Sequence, residues 1–191
     1  MLASVEPNVI ALAHTATSYA LGIEGEDKLT RHLEEFTGIP FISALRSAVA
    51  AFALLGVRKI AIGTAYDQAL TLRGKAILEE YGLEVVNAQC LPDVKNIFEE
   101  TPRRVYALGR RADRPEADAL FLSGMGLPTL SVLDALETDL GKPVLSSASG
   151  LMWNALRVCG IATPVAGYGR LLQDVAYRKS PQRRTKKSAG R

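Results

Sequence analysis

The sequence predicts an α/β fold built from two small parallel sheets with a cleft between them. Three observations carry this. Short apolar runs alternate with amphipathic helical patterns over the whole length, which is how parallel strands joined by helices read. The runs are short and apolar on both faces, as strands covered on two sides must be. The strands are too few for one large sheet, and they end in small, glycine- or hydroxyl-bearing turns, where α/β proteins place ligands.

Taken in order, residues 9–13 (VIALA) read as a buried strand. Residues 24–36 read as a helix with Leu29, Leu33 and Phe36 on one face, closed by Gly38 and kept from resuming by Pro40. Ser43 caps a second helix running to residue 55, with Leu45, Val49, Phe52 and Leu55 inward and Gly56 beyond its end. Residues 57–62 form a strand ending at Gly63-Thr64-Ala65-Tyr66, and Asp67 caps a helix over 68–81 that Gly82 terminates. Residues 83–86 are a short strand. Within 87–101, Val94, Ile97 and Phe98 hint at one helical turn, and Pro102 starts a helix to Arg111. The strand 119–122 follows, breaking at Ser123-Gly124-Met125-Gly126. After it come a helix over 130–140 (Leu130, Leu133, Leu136, Leu140), a strand at 143–145, Ser146-Ser147, and a helix over 150–158 closed by Gly160.

The chain has 191 residues, 48% of them apolar and 23% charged, an ordinary globular composition. No apolar run approaches the roughly 18 residues that span a bilayer. No basic-then-apolar leader opens the chain, so a cytoplasmic protein without membrane contact is expected. The net charge of +3 conceals an asymmetry. Residues 178–191 hold seven Lys/Arg and no acid, which leaves residues 1–177 at −4. The tail reads as a solvated, disordered basic segment without specific nucleic-acid binding, because no aromatic interleaves its charges. Cys90 and Cys159 read as unpaired thiols of a reducing compartment. His14 and His32 have no ligand-like spacing with them, so no metal is expected.

The chemistry lies in hydroxyls at strand ends: Thr17 and Ser18, Thr64 with Tyr66, Ser123, and Ser146-Ser147. Hydroxyls and turn amides bind a carboxylate without a buried cation. They also stabilise an enediolate, the species left when a carboxylate loses carbon dioxide or an α-carbon loses a proton. One such donor is typically worth about 2.7–4 kcal/mol of transition-state stabilisation. Each hydroxyl taken singly is also what a helix cap or turn would require.

In this order, the pieces TS (17–18), TAY (64–66), S-x-x-G-L-x-T-L (123–130), LGKPVLSS (140–147), W-x-A-L-R (153–157) and GYGRL (167–171) resemble the arylmalonate decarboxylases. More broadly they resemble the aspartate/glutamate racemase superfamily, which includes the maleate cis-trans isomerases. The resemblance implies two Rossmann-like halves with pseudo-twofold symmetry and a site between them. The first half would be residues 1–55 plus 148–177, the second 56–147, with the tail at 178–191. It implies no cofactor and no metal. Carried over by position, Thr17, Ser18 and Tyr66 match the hydroxyls that hold the substrate carboxylate, and the backbone at Gly124 and Met125 completes a dioxyanion hole.

Two departures stand beside these matches. The superfamily carries proton-moving thiols at two positions, both used by racemases and isomerases, the second alone by decarboxylases. Here those positions are Ala16 and Gly124. Cys90 and Cys159 fall elsewhere. His14, two residues ahead of Ala16 on a strand, would point to the same side and deeper in. Relatives also carry a strand–helix–strand–helix segment ahead of the TS strand, so the first half is expected to be incomplete with an exposed apolar edge. The expected function is a cofactor-independent decarboxylase or isomerase of a small malonate- or maleate-type dicarboxylate. Side-chain specificity would come from residues 87–101 and Met125. The alternatives are a non-catalytic dicarboxylate binder and an inactive truncated relative.

Overall fold

The computed structural model describes residues 2–173; the basic tail at 178–191 lies outside the described residues. The order is β1 (Ile10–Leu12), α1 (Thr15–Thr37), β2 (Phe41–Ser43), α2 (Ala44–Leu54), β3 (Lys59–Thr64), α3 (Gln68–Glu80), β4 (Glu84–Cys90), α4 (Pro102–Ala112), β5 (Ala119–Ser123), α5 (Leu133–Leu140), β6 (Val144–Ser146), α6 (Ser147–Val158) and α7 (Arg170–Gln173). Single 3-10 turns sit at Ile97–Glu99 and Leu130–Val132. Two parallel sheets form, as the sequence predicts: a pair β1-β2 and a four-stranded sheet ordered β4-β3-β5-β6.

Side-chain alternation sorts the larger sheet into two faces. Ile60, Ile62, Ala119, Phe121 and Leu145 meet Leu45, Ala48 and Phe52 of α2, Ile77 and Leu78 of α3, Trp153 of α6 and Tyr19 of α1. On the other face Ala61, Leu120, Leu122 and Val144 meet Val105 and Leu108 of α4 and Leu133 and Leu136 of α5. The helices α2 and α6 leave strands of different sheets in the same way. Ser43 caps α2 by accepting from the Arg46 amide, and Ser146 caps α6 by accepting from Ser149. The two helices then pack backbone to backbone: a Cβ on Gly150 would stand 3.2 Å from the Ala48 Cα. This contact ties the small sheet to the large one. Among the described residues β1 has one neighbouring strand, and its side chains are only partly covered.

Several elements differ from expectation, and strand β2 was not foreseen. The helix expected at 24–36 begins at Thr15, with its backbone broken at Gly22 (φ 69°, ψ 179°). Ahead of that break its buried residues are Thr15, Ser18 and Tyr19, an i, i+3, i+4 set hidden in a stretch that reads as a polar loop; Glu26 is buried beyond it. Strand β4 runs on to Cys90, past polar Asn87 and Gln89, because pairing with β3 through Thr64 holds it extended; Asn87 donates to the Ala112 carbonyl at 2.6 Å. The helix expected at 130–140 is a 3-10 turn followed by α5, and the one expected at 150–158 starts at Ser147.

Candidate active site

Four strand ends converge. At the end of β1, His14 takes an extended conformation (φ −149°, ψ 94°) and turns the chain into α1. That turn buries Thr15 completely. The Thr15 hydroxyl donates to Ser147 Oγ at 2.8 Å, on the first residue of α6 after β6. Ser147 Oγ also accepts from the Gly124 amide, 3.3 Å away in the turn after β5. An oxygen that accepts twice keeps its own proton to give. From the end of β3 comes Tyr66, whose hydroxyl faces the hydroxyls of Thr15 and Ser123 and the Ala16 amide. Thr64 braces that turn, accepting from the Tyr66 amide at 3.3 Å while bonded to Thr71 at 2.6 Å.

Tyr19 supplies a further hydroxyl from α1. It is fully buried, sits 2.8 Å from Ser123 Oγ, and meets the Tyr66 ring edge-on with centroids 6.0 Å apart. Glycine makes this placement possible: a Cβ on Gly74 would lie 2.5 Å from the Tyr19 ring. Burial raises both phenols above the ordinary tyrosine range, so both stay protonated at neutral pH. The result is a cluster of O–H and N–H donors from Thr15, Ala16, Tyr19, Tyr66, Ser123, Gly124 and Ser147 with no carboxylate or cation among them. Preorganised donors of this kind favour an anion placed at their centre.

The turn after β5 forms the apolar boundary. Gly124 has φ +135°, a conformation that side-chain-bearing residues avoid. A Cβ there would meet Ile97 Cδ1 at 3.1 Å, Ala65 Cβ at 3.4 Å and Leu127 Cδ1 at 3.5 Å. The 3-10 turn at Ile97–Glu99 therefore lies against Gly124 and Gly126. The partly buried Met125 packs with the cluster of Ile42, Ala44 and Leu151.

Of the residues singled out from sequence, Tyr66, Ser123, Ser147 and the Gly124 backbone join this cluster. Ala16 contributes its amide, directed at the Tyr66 hydroxyl. The Thr17 hydroxyl instead lies 2.7 Å from His14 Nδ1, and the buried Ser18 hydroxyl donates to Glu26 Oε1 at 2.6 Å. The reason is local. The chain is helical from Thr15, so the inward positions are 15, 18 and 19 rather than alternate residues of a strand, and position 15 is the one nearest the strand ends. His14, expected deep on a strand, is the exposed residue preceding the helix. Thr15 and Tyr19 escaped the sequence reading; their four-residue spacing was the available signal. Cys90 and Cys159 stand outside the cluster, the first at the end of β4 near Gln68, the second exposed at the end of α6. Among the described residues no group of three or more His, Cys, Asp or Glu could hold a metal ion, and no helix is long and apolar enough to cross a membrane.

Comparison with known proteins agrees with this architecture. A family model described as arylmalonate decarboxylase matches residues 1–172. The chain is 30% identical over 177 residues to the arylmalonate decarboxylase of Bordetella bronchiseptica, covering 87% of this chain and 71% of that one. It is 29% identical over 136 residues to a maleate isomerase of Geobacillus stearothermophilus, covering 70% of this chain and 54% of the isomerase. A liganded double variant of arylmalonate decarboxylase superposes with a TM-score of 0.84 at 31% identity, covering 89% and 74% of the two chains. The maleate isomerase of Pseudomonas putida S16 with maleate shares the fold, at a TM-score of 0.86 and 22% identity over 93% of this chain and 74% of that one. With its fold and its matched sequence in accord, the chain belongs to the arylmalonate decarboxylase family.

Proposed function

We propose that this protein is a cofactor-independent enzyme that decarboxylates a small malonate-type dicarboxylate through an enediolate held by the donor cluster. The observation that carries the reading is the convergence of the Thr15 hydroxyl, the Ser147 hydroxyl and the Gly124 amide, with Tyr66 facing Thr15. One carboxylate seated there would exchange these internal hydrogen bonds for charge-assisted ones, which are roughly twice as strong. As the second carboxylate leaves as carbon dioxide, its bonding electrons flow into the seated carboxylate. The same donors then meet a growing negative charge, and interactions that strengthen on the way to the transition state accelerate the step. The neutral phenols of Tyr19 and Tyr66 add donors without adding charge. Ile97, Leu127 and Ala65 offer an apolar wall to the substituent on the α-carbon.

The test is carbon dioxide release from phenylmalonate by the purified full chain, beside Thr15→Ala and Tyr66→Phe. Loss of release in both variants is expected; equal rates in all three proteins would end this reading. A second reading, a dicarboxylate binder without turnover, is favoured by Gly124, which brings donors to the site but no acid–base group. It predicts that phenylmalonate raises Tm while no carbon dioxide forms.

A further inference from the structure

The reaction proposed above leaves a carbanion-like carbon that needs a proton, and the donor cluster has no side chain suited to give one. Thr15, Ser123 and Ser147 are aliphatic hydroxyls. Tyr19 and Tyr66 are phenols that burial makes weaker acids still. Gly124 has no side chain, and both thiols lie elsewhere.

We propose that His14 is the residue that returns this proton. The inference rests on the decarboxylation reading. An imidazole gives and takes protons near neutral pH, and the chain has two histidines. His32 is seventeen residues along α1 from Thr15, stacked on the exposed ring of Phe36 at 6.4 Å. His14 is one peptide bond from Thr15, so their Cα atoms are about 3.8 Å apart. It stands at the end of α1 whose Ala16 amide faces the Tyr66 hydroxyl. Its ring is held: Nδ1 lies 2.7 Å from Thr17 Oγ1, over the first turn of the helix. That contact occupies one ring nitrogen, and in this proposal the other, Nε2, carries the proton to the α-carbon. Thr17 thereby becomes a positioning residue, a different part from the carboxylate contact that the family resemblance implies for it. Exposure of the ring lets solvent recharge it after each turnover.

The step balances. The bond between the α-carbon and the departing carboxylate breaks, carbon dioxide leaves, and its electron pair enters the enediolate. A C–H bond then forms at the α-carbon as imidazolium Nε2–H breaks. Neutral His14 takes the next proton from water.

The experiment uses the full chain and phenylmalonate. Carbon dioxide release is followed for the native protein and for His14→Ala, with and without added imidazole. The phenylmalonate-induced rise in Tm is measured in parallel. Proton transfer by a positioned side chain is worth roughly 10²–10⁴-fold. A loss of at least about 100-fold is therefore expected in His14→Ala, with the Tm rise retained and part of the rate restored by imidazole. An unchanged rate in His14→Ala overturns the proposal and leaves the decarboxylation reading standing. A loss that imidazole does not rescue, or that abolishes the Tm rise, makes His14 structural and overturns it as well. If the native protein shows the Tm rise without releasing carbon dioxide, the proton role falls while ligand binding survives. If it shows neither, both readings fall together.

Discussion

The Thr15 hydroxyl lies 2.8 Å from that of Ser147, although 132 residues separate them. This hydrogen bond joins the end of β1 to the end of β6, and through Ser147 to the Gly124 amide at 3.3 Å. Thr15→Ala is therefore expected to lower carbon dioxide release by about 10²–10³-fold, the cost of one donor in an oxyanion-type hole. Thr17→Ala, which touches the site only through His14, should cost less than Thr15→Ala. Steady-state rates on phenylmalonate for the two variants decide the order, and a larger loss at Thr17 would return the carboxylate contact to that residue.

Much of the fold can be read from the sequence because its punctuation is local. Ser43 and Asp67 cap the helices they precede, and Gly38 closes its own in the left-handed conformation. The uniformly apolar 119–122 run marks β5. What the sequence hides is decided by distant partners. Nothing within Thr15-Ala16-Thr17-Ser18 says which hydroxyl turns inward. The choice comes from the helix starting at Thr15 and from Ser147 and Tyr66 waiting at other strand ends. The same holds for β4, where Asn87 interrupts the apolar pattern but finds the Ala112 carbonyl across the α4 contact. Tyr66 was legible because it ends an apolar strand in a distinctive TAY triplet. Tyr19 was not, because its slot depends on Gly74 in a helix more than fifty residues on.

Gly124 combines a backbone conformation reserved for glycine with an Ile97 methyl 3.1 Å from where a Cβ would stand. Gly124→Ala should lose about 1–3 kcal/mol from backbone strain, a fall in Tm of several degrees for a chain of this size. Adding Ile97→Ala removes the contact but leaves the φ angle, so it should recover only part. Gly124→Cys carries the same strain while placing a thiol beside the donor cluster, so carbon dioxide release should rise as Tm falls. Calorimetry and the phenylmalonate assay on the same preparations check both halves. An unchanged Tm in Gly124→Ala would show that the turn relaxes without cost.

Two carboxylates on α5 fasten the segment that follows α6. Glu137 accepts from the Val144 amide at 2.9 Å and the Arg170 amide at 2.8 Å, and Asp134 accepts from the Gly169 amide at 2.6 Å. Leu171 and Leu172 are thereby set into the core face shared with Trp153. Glu137 is only 9% exposed and the Val144 amide is buried, so that amide gains no water if the carboxylate is lost. In Glu137→Gln one amide oxygen remains to accept, and the NH₂ faces a second donor. Hydrogen bonds to charged groups are worth about 1.5–3 kcal/mol, so a loss of about 2 kcal/mol is expected. Urea unfolding of the two proteins measures it; a change below about 0.5 kcal/mol, the ordinary range for surface substitutions, would mean that Leu171 and Leu172 hold the segment unaided.

The tyrosines predict how stability responds to alkali. Burial raises Tyr19 and Tyr66, and burial followed by the nearby Glu26 carboxylate pushes Tyr81 up to about 12. The Tyr81 hydroxyl donates to the fully buried Glu26 at 3.3 Å, so ionising it would set two negative charges together. In the unfolded chain each phenol ionises near pH 10. Above that pH the unfolded state binds fewer protons than the folded one, so stability is fully present below about pH 10 and falls as pH rises further. Urea midpoints at pH 9 and pH 11 should therefore differ, and the difference should shrink in Tyr81→Phe and in Tyr19→Phe. Tyr19→Phe should also be less stable at pH 9, because the buried Ser123 hydroxyl then loses its 2.8 Å partner. An equal fall between the two pH values in native and variant proteins would mean that these phenols ionise as readily folded as unfolded, which their burial opposes.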